Sequence, residues 1–416
     1  MTRARPPLLT AAALLAGLVA GAVLLLPADP VPDGAAVEVL RYFAPEQLAR
    51  EEDFHRAVRP PTFAALGLGL AVALVLGLTP LGGRLVAAVA RPLRGSWVAQ
   101  VLLGTLALTT VGRLVALPLD VRREQVLRAY GLSTQTWGSW AVDAVKGLAV
   151  SSAIAGLALL VTVGLARRLP VTWWRWGAAG LAGLVLAGSF AYPLVVEPVF
   201  NTFRPLPAGA LRTDLLALAE RDGVPVRDVL VADASRRTTA VNAYVSGFGS
   251  TRRLVVYDTL VRSAPPAEVR LVVAHELGHA ERSDVLVGTA LGAVGAGAGV
   301  CLLAALLGWR PLLARAGAEG PGDPRVVALV LALVAVGTLV TAPAVNLASR
   351  RVEARADLHS LQLTGDPATF VAVQRRLAVT NLADLRPSPV LVALFATHPT
   401  VPERLALAEA YAEERR

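Results

Sequence analysis

Two histidines lie four residues apart in the segment His275-Glu276-Leu277-Gly278-His279, and a glutamate follows the first of them. On an α-helix, residues four apart lie one turn apart on the same face, so both imidazoles can reach one metal ion. Zinc binds imidazole nitrogen and is catalytic when one coordination position is left open for water. Glu276 would then take a proton from that water, which the metal makes more acidic. The segment therefore predicts a zinc hydrolase rather than a plain stretch of helix.

A third metal ligand is expected elsewhere, because a catalytic zinc usually has three protein ligands. The best candidate is Glu353, in the segment Glu353-Ala354-Arg355-Ala356-Asp357. Asp357 follows one helical turn later, where its carboxylate can accept a hydrogen bond from an imidazole that binds the metal. Alone, this pair would indicate a solvated helix end. Beside the histidine motif, it predicts one zinc ion per chain, bound by His275, His279 and Glu353.

The composition is that of a membrane protein. Apolar residues make up 55% of the chain and occur in long runs, which is typical of membrane helices. The formal net charge of +9 is almost all arginine, because Lys146 is the only lysine, and the arginines cluster beside apolar runs. We therefore predict no nucleic-acid partner. Cys301 is the only cysteine, which excludes an intrachain disulfide and a cysteine-based metal site.

Seven apolar segments are long enough to span a bilayer, five before the histidine motif and two after it. Their approximate bounds are 8–26, 63–81, 98–119, 148–166, 173–196, 285–307 and 326–347. We expect the first to be retained as a helix, since it is long for a signal peptide and Leu26-Pro27-Ala28-Asp29 is a poor cleavage site. The chain is thus divided into a membrane region (1–196), a catalytic insertion (197–284), two further membrane helices (285–347) and a C-terminal catalytic segment (348–416).

The insertion has the pattern of a small α+β unit. Residues 211–221 have helical periodicity, residues 229–232 form a strand, and two strands at 240–245 and 254–257 are joined by a glycine-bearing loop, 246–250. Ser263 is the predicted N-cap of the helix that carries the histidines. The predicted fold is mainly α: a polytopic membrane protein with about seven transmembrane helices and a small α+β insertion at the membrane face that carries the zinc-hydrolase motif.

The order of the segments supports Glu353 as the third ligand. The histidine motif leads into the sixth apolar segment, and Glu353 follows the seventh. Two consecutive spans return the chain to the side from which it left, so Glu353 and the histidines can meet at one membrane face. Charged residues directly after the motif, Glu281-Arg282-Ser283-Asp284, place the motif at the membrane boundary rather than deep in the bilayer.

Several motifs together resemble the CAAX prenyl protease 1 family, the type I CAAX endopeptidases, which are seven-span membrane zinc metalloproteases. The motifs are the histidine segment, the Glu353 segment, Pro118-Leu119-Asp120 with Tyr130-Gly131-Leu132, Glu197-Pro198-Val199-Phe200-Asn201, Asn242-Ala243-Tyr244 with Gly247-Phe248-Gly249, and Thr397-His398-Pro399 with Glu403-Arg404. They occur in the family's order and cover most of the chain, with the weakest match over the first hundred residues.

The resemblance implies a role for individual positions. His275, His279 and Glu353 match the zinc ligands, and Glu276 matches the general base. His398 and Arg404 match polar groups that would stabilise the oxyanion or hold the substrate. The resemblance also implies a substrate-binding edge strand, which pairs with the backbone of the substrate and reads little sequence. That strand would comprise Asn242, Ala243 and Tyr244.

The implied activity is hydrolysis of peptide bonds, with C-terminal processing of prenylated proteins or quality control of membrane proteins as its role. The partners would be the lipid bilayer and a peptide or membrane-protein substrate that carries a lipid in the processing case. The alternative is a transporter or channel in which the histidine motif is incidental; the soluble insertion and the Glu353 segment argue against it. An inactive homologue has no support, because Glu276 and all three predicted ligands are present.

The orientation of the chain is ambiguous from its charges. Arginine counts in the short loops favour a cytoplasmic N-terminus, which after five spans would place the catalytic region outside. The resemblance implies instead a site that faces the cytoplasm. We expect a multi-pass protein of the cell membrane with its catalytic site on the cytoplasmic face.

Overall fold

The computed structural model describes residues 5–31, 37–247 and 252–416, and it is mainly helical. The α-helices of these residues are α1 (Arg5–Leu25), α2 (Pro45–Leu78), α3 (Pro80–Val89), α4 (Trp97–Ala129), α5 (Trp137–Arg168), α6 (Trp173–Ala191), α7 (Glu197–Phe200), α8 (Ala210–Arg221), α9 (Asp258–Ser263), α10 (Pro266–Glu281), α11 (Asp284–Leu307), α12 (Arg310–Arg315), α13 (Val327–Thr364), α14 (Pro367–Asn381), α15 (Pro389–Phe395) and α16 (Val401–Glu413).

Seven helical segments in the described part of the chain are long and apolar enough to cross a bilayer. They contain α1, α2, α4, α5, α6, α11 and α13. Many of their apolar side chains point outward; Val23 and Val340, for example, are 76% and 72% exposed. Outward apolar side chains along a whole helix suit a lipid environment. The predicted fold class is confirmed, and the protein is a multi-pass membrane protein.

The helices extend well past several of the apolar segments that predicted them. The second segment was expected at 63–81, but α2 begins at Pro45 and includes Pro60 and Pro61. The seventh was expected to end at 347, but α13 continues to Thr364. α13 includes Pro343 but stays helical until Gly365, whose φ of 65° is the left-handed conformation that commonly follows a helix C-terminus. This extension carries Glu353 beyond the apolar part of the helix.

Small residues allow α2 to approach α13 closely. A Cβ atom at Gly77 would lie 2.5 Å from the Cβ of Ala332 and 2.8 Å from the carbonyl oxygen of Ala328. Close approach over small residues is a common way for membrane helices to associate, since lipid gives them no hydrophobic driving force. The contact fixes the position of the helix that bears Glu353.

One four-stranded sheet forms the β part of the insertion, with strand order β1-β2-β4-β3. The strands are β1 (Phe203–Pro205), β2 (Asp228–Ala232), β3 (Ala243–Ser246) and β4 (Arg253–Tyr257). β2 is antiparallel to β1 and parallel to β4, and β3 is antiparallel to β4 at the edge of the sheet. Three strands overlap the predicted ones, but β3 begins at Ala243 rather than at residue 240, so Asn242 lies just before it; β1 was not predicted. Residues 248–250 of the predicted hairpin loop lie outside the described residues.

The predicted N-cap of the histidine helix was wrong. Ser263 ends the short helix α9, and α10 begins at Pro266 with Pro265 as its N-cap. A residue that precedes a proline is disfavoured in the α conformation, so Ala264 and Pro265 are both extended. Pro266 can begin the helix because its fixed φ suits the first turn, where no N–H donor is needed.

One face of α10 is embedded in the core of the insertion. Apolar side chains of α10 pack with those of α8, β2 and β4; the fully buried ones include Leu215, Leu218, Leu254, Val256, Val269, Val273 and Leu277. This packing orients the other face of α10, with His275 and His279, toward the extension of α13.

The contact between α2 and α13 gives a testable prediction. We expect Gly77→Ala to destabilise the detergent-solubilised protein by about 1–3 kcal/mol, because the added methyl overpacks a helix contact. Gly67→Ala is the matched control, since Gly67 lies on the same helix with nothing within 4 Å of its Cβ position. Thermal unfolding of both variants measures the difference. Equal melting temperatures for the two would contradict this packing.

Candidate active site

The ends of α10 and α13 bring three metal-binding side chains together. The Nε2 atoms of His275 and His279 lie 3.2 Å apart. The two carboxylate oxygens of Glu353 lie 3.3 Å from the Nε2 of His275 and 3.7 Å from the Nε2 of His279. One potential ligand atom from each residue lies within 4.8 Å of the others. Two helices thus converge on one point, as the sequence predicted.

Asp357 lies behind His275. Its Oδ1 is 2.9 Å from the Nδ1 of His275, on the side of the ring opposite the Nε2 that faces Glu353. The carboxylate of Asp357 is completely buried and receives a two-pronged contact from the Arg404 guanidinium, whose Nε donates at 2.7 Å. This chain of contacts fixes the orientation of the His275 ring.

A second chain of contacts, which the sequence did not predict, lies behind His279. The Nδ1 of His279 is 2.9 Å from Oδ2 of Asp284, and the guanidinium of Arg355 pairs with Oδ1 of Asp284. On one continuous helix, a residue five positions later would point about 140° away. Ser283, with φ 55° and ψ 40°, breaks the helix between α10 and α11 and turns Asp284 back toward His279. The spacing alone gave no signal of this contact.

The charges and the buried ligand atoms of this site suit a metal cation. Oε2 of Glu353 is buried and makes no well-aligned hydrogen bond, although Nε2 of His275 and Nε2 of His398 lie 3.3 Å and 3.2 Å from it. Burial alone would lower the pKa of His275, but the neighbouring carboxylates of Asp357 and Glu353 outweigh it and raise this pKa to about 10. The site therefore stabilises positive charge strongly. Two imidazoles and a carboxylate are also the donor set of many catalytic zinc sites.

Glu276 lies between the histidines and the sheet. Burial raises the pKa of its carboxyl group, while the two histidines oppose that rise. The carboxylate also accepts a hydrogen bond from the backbone N–H of Val245 in β3. The predicted general base is therefore adjacent to both the metal-binding residues and the edge strand.

The free edge of β3 faces Glu276. The carbonyl of Asn242 accepts a hydrogen bond from the N–H of Tyr257, so Asn242 and Tyr244 direct their backbone groups toward β4. In an antiparallel pair, the alternate residues point the other way. Ala243 and Val245 therefore direct theirs to the free edge, consistent with the bond from Val245 to Glu276. The predicted substrate strand thus lies at the edge of the sheet beside the base, and its outward N–H groups bind side chains: that of Ala243 binds Oδ1 of Asn242, and that of Val245 binds Glu276.

His398 and Arg404 occupy different places in the site. Nε2 of His398 lies 3.2 Å from Oε2 of Glu353, and its side chain is 58% exposed. The guanidinium of Arg404 is instead nearly buried and is engaged with Asp357. Pro402 lies in the first turn of α16, so this helix begins after His398 and carries Arg404.

Comparisons with known proteins identify the family of this chain. The sequence model of peptidase family M48 matches residues 205–412, half of the chain. The chain belongs to peptidase family M48. A second model, the five-helix N-terminal membrane region of CAAX prenyl proteases, matches residues 41–202. The predicted family is confirmed: the protein is a membrane metalloendopeptidase of the CAAX prenyl protease type, which disfavours the transporter alternative.

Individual proteins are also similar to this M48 chain in sequence or in fold. "Uncharacterized metalloprotease YhfN" of Bacillus subtilis is 33% identical over 73% of this chain and 71% of its own length. CAAX prenyl protease 1 of Saccharomyces cerevisiae is 32% identical, but that match covers only 46% of this chain and 43% of the yeast protein. The crystal structure of Ste24p from S. mikatae shares the fold, with a TM-score of 0.77, 22% identity and coverage of 97% and 98% of the two chains.

The contact behind His279 gives a prediction about metal affinity. We expect Asp284→Ala to weaken zinc binding by about 10- to 100-fold, because His279 loses the group that orients its ring, and Asp357→Ala to do the same through His275. Competition with a chelating dye measures this affinity.

Arg376→Gln is the matched control for these two variants. It breaks the pair between Arg376 and Glu268, which anchors the other end of α10 and does not touch the site. Unchanged zinc affinity in Asp284→Ala, or an equal loss in Arg376→Gln, would contradict the orienting role.

Proposed function

We propose that this protein is a zinc-dependent endopeptidase that binds one zinc ion through His275, His279 and Glu353, with Glu276 as its general base. The observation that supports this most directly is the convergence of three ligand atoms within 4.8 Å at the facing sides of α10 and α13. Glu276 immediately follows the first histidine in the chain. The same residues match the pattern that sequence analysis predicted for hydrolysis.

The metal and the residues of the chain have separate roles in the reaction. When bound, zinc acts as a Lewis acid that makes a water molecule more acidic and polarises the substrate carbonyl. Glu276 accepts a proton from the attacking water and delivers it to the departing amine nitrogen as the peptide bond breaks. The hydrogen bond from Val245 holds the Glu276 carboxylate in place until the substrate arrives.

The substrate backbone pairs with the edge of the sheet along the segment Asn242, Ala243 and Tyr244, through the outward-facing backbone groups of Ala243, because those of Asn242 and Tyr244 bind β4. The inference rests on the edge position of this strand and on its closeness to Glu276. Addition of a strand to an exposed sheet edge gives affinity through main-chain hydrogen bonds and reads little sequence.

His398 and Arg404 act in different ways. The half-exposed imidazole of His398 stabilises the oxyanion, because it lies beside Glu353 and can reach a bound substrate. Arg404 was predicted for the same task, but two of its nitrogens bind Asp357. We therefore propose that Arg404 positions Asp357 and, through it, His275, without contact to the substrate.

The proposed substrate is the C-terminal region of a prenylated protein at the cell membrane. The likeness to yeast CAAX prenyl protease 1 and to plant homologues of that enzyme supports this class. Quality control of membrane proteins is a second candidate, because a protease HtpX homologue of Aeropyrum pernix is 31% identical over 59% of this chain. The likeness to CAAX proteases also supports an active site on the cytoplasmic face. We further propose that the chain has the four parts predicted from its sequence: the membrane region, the catalytic insertion, the two further membrane helices and the C-terminal catalytic segment.

Replacement of the general base tests this function. We expect Glu276→Gln to retain one zinc ion per chain and to reduce cleavage of a prenylated peptide by about 10²- to 10⁴-fold, since the amide cannot accept the proton. Zinc content and peptide cleavage are measured on the detergent-solubilised protein.

Glu281→Gln serves as the control, because Glu281 lies on the same helix and pairs only with Arg282 in the ion pairs of the described residues. Cleavage by Glu276→Gln at the rate of the parent would exclude Glu276 as the base. If the folded parent bound no zinc, the histidine segment would be an ordinary helix.

A further inference from the structure

A further histidine, His359, lies on the extension of α13 where this helix passes α10. Residues two positions apart on a helix are separated by about 200°, so His359 and Asp357 point in nearly opposite directions. The imidazole of His359 lies instead against Gly278 of α10 and binds the carboxylate of Asp222, at the end of α8. This side chain therefore connects α13 to both α8 and α10.

Gly278, which directly precedes His279, allows this close approach of α10 and α13. A Cβ atom at Gly278 would lie 3.0 Å from the Cβ of His359 and 3.1 Å from its Cγ and Cδ2. The Cβ of His359 cannot rotate away, because it is bonded directly to the backbone of α13. Any residue larger than glycine would therefore push the two helices apart. The contact between Gly278 and the imidazole thus sets the distance between α10 and α13 next to the metal-binding residues.

The end of α8 holds His359 and the next turn of α13. Nε2 of His359 lies 3.0 Å from Oδ1 and 3.1 Å from Oδ2 of Asp222. The side chain of Asp222 is only 7% exposed, and a buried carboxylate is costly without a hydrogen-bond donor. The neighbouring residue Arg221 donates from Nη2 to the carbonyl oxygen of Leu363 at 3.3 Å. Two successive turns of α13 are thus bound by two successive residues at the end of α8.

The same helix α8 also holds α10. Leu215 and Leu218 of α8 are buried in one apolar core with Val269, Val273 and Leu277 of α10. One helix that carries no predicted metal ligand therefore contacts both helices that carry them, through apolar packing with α10 and through His359 with α13. None of these contacts involves a ligand atom of the metal site. The arrangement of the two helices can therefore exist before a metal ion binds.

We propose that His359 is a positioning residue which, anchored by Asp222, keeps Glu353 of α13 within reach of the two metal-binding histidines of α10. This inference rests on the proposed function, since it concerns the zinc site of that peptidase. Ligands that are already in position bind a metal more tightly, because less conformational freedom is lost when it binds. His359 therefore contributes to zinc affinity without contact to the metal or to the substrate.

Two pairs of variants test this role. His359→Ala removes the imidazole, whereas His359→Gln replaces it with an amide N–H that can still reach Asp222. Asp222→Ala removes the partner and leaves the imidazole in place. Asp214→Ala is its matched control, because Asp214 also lies on α8 but pairs with Arg270 of α10, at 3.7 Å, and not with α13. Competition with a chelating dye measures zinc affinity, and thermal unfolding establishes that each variant is folded.

We expect zinc affinity to fall by about tenfold in His359→Ala and in Asp222→Ala, at the lower end of the range for contacts behind a metal ligand, because His359 acts through the helix rather than on the ligand itself. His359→Gln and Asp214→Ala should bind zinc as the parent does, since both keep the bond between α8 and α13. If His359→Ala does not fold, Asp222→Ala tests the same contact with the imidazole present.

Parent affinity for zinc in folded His359→Ala or Asp222→Ala would overturn the positioning role, even if the melting temperature fell, because the contact would then be merely structural. An equal loss of affinity in Asp214→Ala, or a loss in His359→Gln as large as in His359→Ala, would also overturn it. In these cases the proposed function would stand if cleavage by the parent still required Glu276. If the folded parent bound no zinc, the proposed function and this inference would both fail.

Discussion

The structure depends on holding four carboxylates and two imidazoles close together where α10 faces α13 and α11 begins. Four negative charges come from the carboxylates of Glu276, Asp284, Glu353 and Asp357. Two positive charges come from the guanidinium groups of Arg355 and Arg404. Metal binding requires neutral imidazoles, and with both histidines neutral the cluster has a net charge of −2, which one divalent cation balances. Burial makes this balance necessary, because unpaired charges in a weakly polar interior are costly.

The two arginines have equivalent contacts in this cluster. Each metal-binding imidazole contacts one aspartate, and each aspartate contacts one arginine: Asp357 with Arg404, and Asp284 with Arg355. The partners come from α11, α13 and α16, so the orientation of the imidazoles depends on helices other than the one that carries them. Two of these helices also span the membrane, which ties the geometry of the site to the packing of the membrane helices.

Much of the fold and of the site could be predicted from the sequence because local rules determine them. Apolar runs require membrane helices, and the four-residue spacing of His275 and His279 requires one helical face. Glu353 was found because two spans return the chain to the same side. The helix extensions were missed, since polar residues such as those of α13 remain helical through tertiary packing.

The contacts that could not be predicted are those that depend on a single backbone conformation or a distant partner. Asp284 reaches His279 only because Ser283 is left-handed, and nothing in the local sequence specifies that turn. The pairing of Arg404 with Asp357 likewise joins two helices whose relative position the sequence does not give. The short strand β1 was not predicted, because three residues are too few to show the alternation of apolar and polar side chains that indicates a strand.

X-ray absorption at the zinc edge tests the central claim most directly, because it reports the atoms that surround the metal in the purified protein. We expect one zinc per chain, with two imidazole nitrogens and a carboxylate oxygen at about 2.0–2.2 Å, and loss of the carboxylate ligand in Glu353→Ala. A spectrum with a single imidazole or with sulfur at about 2.3 Å, or a spectrum unchanged in Glu353→Ala, would contradict it.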